Sequence, residues 1–190
     1  MGSQLTLVII GKDWEALREF SLQHVNADEC ILVSNEVGTP LSAIGNYYLE
    51  HANNPVLGIL HADSSLGPGA CDAFVAAANQ QAIVGIVGRD VTRRYIWCNQ
   101  GGGPVETLDC CSIFLRRDLE LAFDETNFDG LHCYIEDMCM QARARGLPVF
   151  VPVAEASHRG NVEVNGDRWL ADYSRYRGRL ERKWGAVVTT

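Results

Sequence analysis

Short apolar runs alternate with stretches whose apolar residues recur every three or four positions. Leu5 to Ile10 is one such run, and Gly11 ends it. Trp14, Leu17, Phe20 and Val25 follow at roughly helical spacing. Cys30 to Val33 is a second run, closed by Ser34-Asn35-Glu36. Leu41, Ile44, Tyr48 and His51 lie on one face of a second helix, which Pro55 ends, and Val56 to Leu60 is a third run. The order strand, helix, strand, helix, strand predicts a parallel sheet with right-handed crossovers. Ligands of such sheets bind beyond the carboxyl ends of the strands. That rule puts Lys12, Asn35, His61 and Asp63 on one edge, with Gly58-Ile59-Leu60-His61-Ala62-Asp63 as a buried strand delivering the last two.

The pattern continues less regularly. Gly67-Pro68-Gly69 is a turn that launches a helix through Phe74, Ala77 and Ala78. Ala82 to Val87 predicts a fourth strand. Residues 89–104 read as irregular, with a flexible loop at Gly101-Gly102-Gly103-Pro104. Val105 to Leu108 and Ser112 to Leu115 are short strands flanking Asp109. Phe123-Asp124-Glu125 opens a polar loop. Ile135, Met138, Cys139 and Ala142 form a helix face that Gly146 ends. Val149 to Val153 is the last strand, with His158 in the loop just past it. Trp169, Tyr173, Tyr176 and Leu180 predict a C-terminal amphipathic helix, and no linker splits the 190 residues into two domains.

Composition narrows the class. Apolar residues make up 47% and charged residues 21%, which suits a globular core. No run approaches the ~20 apolar residues of a membrane helix, and Met1 to Leu7 lacks a secretory pattern, so a soluble, cytoplasmic domain is expected. The seven cysteines include no C-x-x-C pair and read as reduced, mostly buried thiols. The net charge of −8 argues against a nucleic-acid binder. It is uneven: from Arg159 onward seven basic residues face four acidic ones, against nine and twenty before it. Residues 160–190 therefore read as a basic helix, able to meet a diphosphate, an anionic surface or another subunit; a homo-oligomer is compatible with this. A solvated face accounts for most of its arginines.

Several chemistries fall away. No G-x-G-x-x-G follows the first strand, no G-x-x-x-x-G-K-[ST] occurs, and there is no G-x-S-x-G. What remains is an ordered set: His61-Ala62-Asp63 after a strand, then Asp109, then Phe123-Asp124-Glu125, then Gly130 to Met138 containing Glu136 and Asp137, and finally His158.

On these residues the chain resembles family 2 glycosyltransferases of GT-A fold, closest to the compact StrF-like subgroup. The subgroup's YN-like helix before an H-x-D strand end is met by Asn46 and His61-Ala62-Asp63. Its VDG-like turn is met by Leu108-Asp109-Cys110, its FDE-like motif by Phe123-Asp124-Glu125, and its GFHFYDIDL-like segment by Gly130 to Met138. A closing histidine before Lys-Trp is met by His158 and Lys183-Trp184. The resemblance implies an α/β fold: one three-layer α/β/α GT-A-like (nucleotide-diphospho-sugar transferase) domain over 1–190, with a mostly parallel central sheet. It implies transfer of a sugar from a UDP- or GDP-type donor to an acceptor hydroxyl, with inversion, as in polysaccharide biosynthesis.

By the same resemblance Asp63 and His158 take the places of ligands to a divalent Mn or Mg ion, which would neutralise charge on the leaving diphosphate. Asn35, Asn46, His61 and Asp109 take substrate-side places. Glu136 and Asp137 are the candidate bases for the acceptor hydroxyl. Each has a plainer reading: Asp63 as a turn cap, His61 as a buried histidine bonded to backbone, Glu136 and Asp137 as dipole-favoured acids at a helix start. Two further readings stand beside the enzyme. One is a catalytically inactive GT-A-like domain that binds sugars or nucleotides, or serves as an interaction module. The other is a nucleotidyltransferase, which would want a glycine- and basic-rich loop after the first strand; Gly11-Lys12-Asp13 is too short to be one.

Overall fold

The first run becomes β1 (Leu5–Gly11), buried along nearly its whole length, as an inner strand covered on both faces must be. It pairs in parallel with β2 (Glu29–Ser34) on one side and β3 (Val56–His61) on the other. Between β2 and β3 lies α1 (Leu41–His51), which packs Leu41 and Ile44 inward. The computed structural model describes residues 4–12, 21–80, 83–159 and 162–187, and side chains from residue 170 onward in the last helix. The expected helix through Trp14, Leu17 and Phe20 lies outside these residues. Val25, its last expected member, sits in irregular chain.

β3 ends at His61, one turn short of Asp63, and β4 (Ser64–Leu66) starts straight after. α2 (Ala70–Gln80) follows the predicted Gly67-Pro68-Gly69 turn. The expected strand Ala82 to Val87 is divided into β5 (Ile83–Val84) and β6 (Val87–Arg89). Gly85 lies between them. A β-carbon there would come 2.9 Å from the Ser112 carbonyl oxygen, so the backbones approach where the chain leaves one sheet for another.

Residues 89–104 are more ordered than expected. They hold β7 (Tyr95–Trp97), a short 3-10 turn at Cys98–Gln100, and β8 (Gly103–Pro104). β9 (Thr107–Leu108) and β10 (Ser112–Arg116) flank Asp109 as predicted, the first shorter than Val105 to Leu108. α3 (Tyr134–Ala144) is followed by β11 (Val149–Val151). β11 stops where Pro152 removes a ladder donor and Val153 turns outward, two residues before the predicted end. The expected loop beyond it contains β12 (Ala156–His158), so His158 ends a strand. α4 (Val162–Trp184) closes the described chain.

The central sheet has seven strands in the order β2-β1-β3-β10-β5-β11-β8. β10 is antiparallel to both β3 and β5, and β8 is antiparallel to β11; the remaining pairs are parallel. With its flanking helices this is the mixed α/β architecture expected. Phe74 of α2 stacks on Phe114 of β10 with ring centroids 4.4 Å apart, fixing that helix to the middle of the sheet. Two small sheets attach beyond it, β12-β4 and β7-β6-β9. Among the described residues no helix is long and apolar enough to cross a membrane.

Candidate functional site

The site gathers where β3, β10 and the β12-β4 pair meet. The His61 amide donates to the Cys111 carbonyl at 2.9 Å, and the Ala62 amide donates to the Ile10 carbonyl at 2.9 Å. These bonds hold the turn carrying Asp63 at the carboxyl ends of β1 and β3. From the far end of the sequence, β12 pairs antiparallel with β4 so that His158 faces Ser64. The Arg159 amide then donates to the Asp63 carbonyl at 2.9 Å. His158 Nε2 lies 3.2 Å from Asp63 Oδ2, joining residues ninety-five positions apart. The third approach is the β9-β10 turn. There the Cys111 amide donates to Asp109 Oδ1 at 3.0 Å and the Asp109 amide to the Val87 carbonyl at 3.0 Å.

Asp109, Cys111 and His158 each present one potential ligand atom, all within 4.8 Å of one another, a grouping that could hold a metal ion. Asp63 Oδ1 is buried and has no hydrogen-bond partner. An orphaned carboxylate oxygen beside such a group fits a bound cation, because a buried acceptor left unmatched is costly. Burial pushes the Asp63 carboxyl upward, but the hydrogen bond and charge of His158 outweigh this and leave it below the ordinary range. The reverse holds at His158: burial pulls it down, yet Asp63 leaves it net raised.

Burial pushes the His61 imidazole down, with Asp63 and Asp109 acting in the opposite direction. Tyr134 O–H donates to the Cys110 carbonyl at 3.2 Å, so its oxygen accepts from His61 Nε2–H at 3.0 Å. This network assigns the His61 tautomer. It also fixes His61 as a strand-end residue anchored on α3.

The other predicted residues are dispersed. Asn35 is buried, and its amide clasps its own loop: Nδ2 donates to the Thr39 carbonyl at 2.8 Å and Oδ1 accepts from the Thr39 amide at 2.7 Å. Asn46 joins α1 to the Phe123-Asp124-Glu125 segment through Phe123 backbone and Glu125 Oε1. Among the described residues, neither asparagine hydrogen-bonds the Asp63–His158 group. Glu136 and Asp137 are both buried and diverge along the first turn of α3. Glu136 Oε2 accepts from Cys110 Sγ at 2.9 Å, beside Asp109 in sequence. Asp137 turns to α4, accepting from Trp184 Nε1 at 2.6 Å, Lys183 Nζ at 2.8 Å and Gln141 Nε2 at 2.8 Å.

Sequence reading missed Cys111 and Tyr134. In sequence Cys111 is one of the reduced, mostly buried thiols, and burial does push its thiol well up, as does Asp109. The available signal was spacing: Asp109-Cys110-Cys111 puts a second ligand-type side chain two positions after an acid, at the mouth of a strand.

No protein-family model matches the chain, and no curated protein matches its sequence. Solved structures do. The chain is similar to A197 from STIV, with a TM-score of 0.53 and 17% identity over 85% of this chain and 87% of that one. At that identity the likeness shows a shared fold. It is also similar to S. aureus TarS 1–349, with a TM-score of 0.47 and 10% identity over 82% of this chain. That match spans 59% of the TarS chain and carries no functional inference.

Proposed function

We propose that this domain is a metal-dependent glycosyltransferase of the family 2 type. It would move a sugar from a UDP- or GDP-type donor to an acceptor hydroxyl with inversion. The observation that supports the reading best is the meeting of Asp63, after the third parallel strand, with His158 from β12, next to an orphaned carboxylate oxygen. The strand-end rule and the sequence resemblance both put donor binding at that edge.

In this reading Asp63 and His158 hold a divalent ion, with Asp109 beside them. The bound ion supplies charge neutralisation at the leaving diphosphate. The chain's own residues supply the rest. His61 and Tyr134 hold the β3 end rigid. Of the two acids, Glu136 is the better placed base, because it lies against the Asp109 turn while all three donors around Asp137 come from structural side chains. A second reading, a nucleotide- or sugar-binding domain without turnover, draws on the burial of both acids.

The test is thermal unfolding with UDP- and GDP-sugars, with and without Mn²⁺, followed by assay of nucleotide release. A donor at a hundred times its dissociation constant adds about 2.7 kcal/mol. For a domain of this size that raises Tm by roughly 5–10 °C. Asp63→Asn should abolish the metal-dependent part. Stabilisation without nucleotide release, across acceptor panels, selects the binding module. No shift with any nucleotide sinks both.

A further inference from the structure

We propose that Asp109, Cys111 and His158 form a zinc-class metal site in which the Cys111 thiolate is a ligand. This rests on the reading above and revises it in two points: a zinc-class ion replaces Mn or Mg, and Asp63 passes from ligand to the carboxylate that orients His158. The three groups come from two places only, the β9-β10 turn and the end of β12. Their ligand atoms already lie within 4.8 Å of one another. Tetrahedral zinc, with bonds of about 2.0–2.3 Å, places its donors about 3.5 Å apart, so the group closes on an ion by drawing in roughly 1 Å.

The donor chemistry selects the ion. Mg²⁺ demands octahedral oxygen ligands, and Mn²⁺ also favours carboxylate and carbonyl oxygen. A set of one thiolate, one imidazole and one carboxylate suits Zn²⁺ or Co²⁺. Three protein ligands leave the fourth position open, as in catalytic zinc sites. The surroundings are those of a metal-bound histidine. Asp63 hydrogen-bonds the His158 ring at 3.2 Å and so fixes its orientation, the usual arrangement of a carboxylate behind a ligand histidine. The Cys111 amide donates to Asp109 Oδ1 at 3.0 Å, which steadies the carboxylate next to the thiol. On binding, the metal–sulfur bond forms as the Cys111 S–H proton leaves to solvent, one proton per ion from this thiol.

The test uses the full chain, stripped with chelator and free of nucleotide. Co²⁺ is titrated in while absorbance is followed. Expected are a near-ultraviolet thiolate-to-cobalt charge-transfer band and visible tetrahedral bands, both saturating at one ion and displaced by Zn²⁺ but not by excess Mg²⁺. Cys111→Ser should lose the charge-transfer band, whereas Cys30→Ser and Cys110→Ser should keep it. Asp63→Asn should weaken Co²⁺ binding about 10- to 100-fold with the band still present at saturation. Zinc-edge X-ray absorption on the wild-type chain gives an answer independent of any variant's folding: one sulfur at about 2.3 Å is expected. A shell of nitrogen and oxygen alone, or a band that survives Cys111→Ser, overturns the site. Donor binding that persists with Mn²⁺ when the thiolate band is absent refutes this inference and leaves the glycosyltransferase reading standing.

Discussion

Asp137 and its neighbour Glu136 show how two adjacent acids acquire different work. Asp137 has no solvent exposure, and Lys183 supplies the opposite charge. Removing this buried carboxylate strips the partner from Trp184 Nε1, Gln141 Nε2 and part-buried Lys183, at a cost of about 3 kcal/mol. Asp137→Ala should therefore lower Tm by roughly 6–12 °C, read by calorimetry. Glu136→Gln should leave Tm within a few degrees and reduce nucleotide release by about 100-fold or more, the usual size of a lost base. An equal loss of release in Asp137→Asn with Tm unchanged would move the base to Asp137. Lys183 also bonds Asp124 at 2.8 Å. Burial raises the Asp124 carboxyl, but Lys183 and Asn127 overcome this and hold it at about 2, below the ordinary 3.8. The folded value is the lower one, so this contribution is present above pH ~4 and is lost as pH falls toward ~2. Lys183→Met should flatten that part of the urea-midpoint profile. A wild-type minus mutant gap that stays constant across this range would refute the assignment. The sequence order singles out Asp63 and His158 among the acids and histidines, and the two touch. It gave no means of seeing that Asn35 and Asn46 close loops, because an asparagine amide bonded to backbone has the same local pattern as one facing a ligand.

Among elements, the inner strands were legible and the short ones were not. β1 and β3 are covered on both faces, so their apolar runs announce them. β8, β9 and β12 have two or three residues each, too few to show a period of two. The break at Gly85 was invisible for a related reason: an apolar run looks the same whether it stays in one sheet or passes to the next. Close packing of the centre gives a sharp prediction at Gly58 of β3. A β-carbon there would lie 2.6 Å from a ring carbon of Phe114 and 2.9 Å from Leu7. Phe114 is held by its stack on Phe74 and cannot swing away freely. Gly58→Ala should destabilise by about 1–3 kcal/mol, measured by urea unfolding. A neutral result would mean that the Phe114 stack yields.

For the molecule as a whole, the uneven charge finds an internal use. Arg179 pairs with Asp129 at 2.6 Å, and Lys183 pairs with Asp124 and Asp137, so basic residues of α4 meet acids of the body. Tyr176 adds a hydrogen bond to Asp129 at 3.0 Å. The sequence showed the surplus on each side and offered outside partners for it; the pairing needed three dimensions. The α4 clasp also ties the Lys183-Trp184 pair to the start of α3, since both residues bond the Asp137 carboxylate.

The ladder of three residue pairs between β4 and β12 has a kinetic meaning. It joins segments that a loop of some ninety residues separates, and long loops close late because their entropy must be lost before any contact rewards it. β1, β2 and β3 can pair while His158 is still far away. During refolding, capture of the proposed metal should thus trail the pairing of β1, β2 and β3, and its signal would report that the last closure is complete.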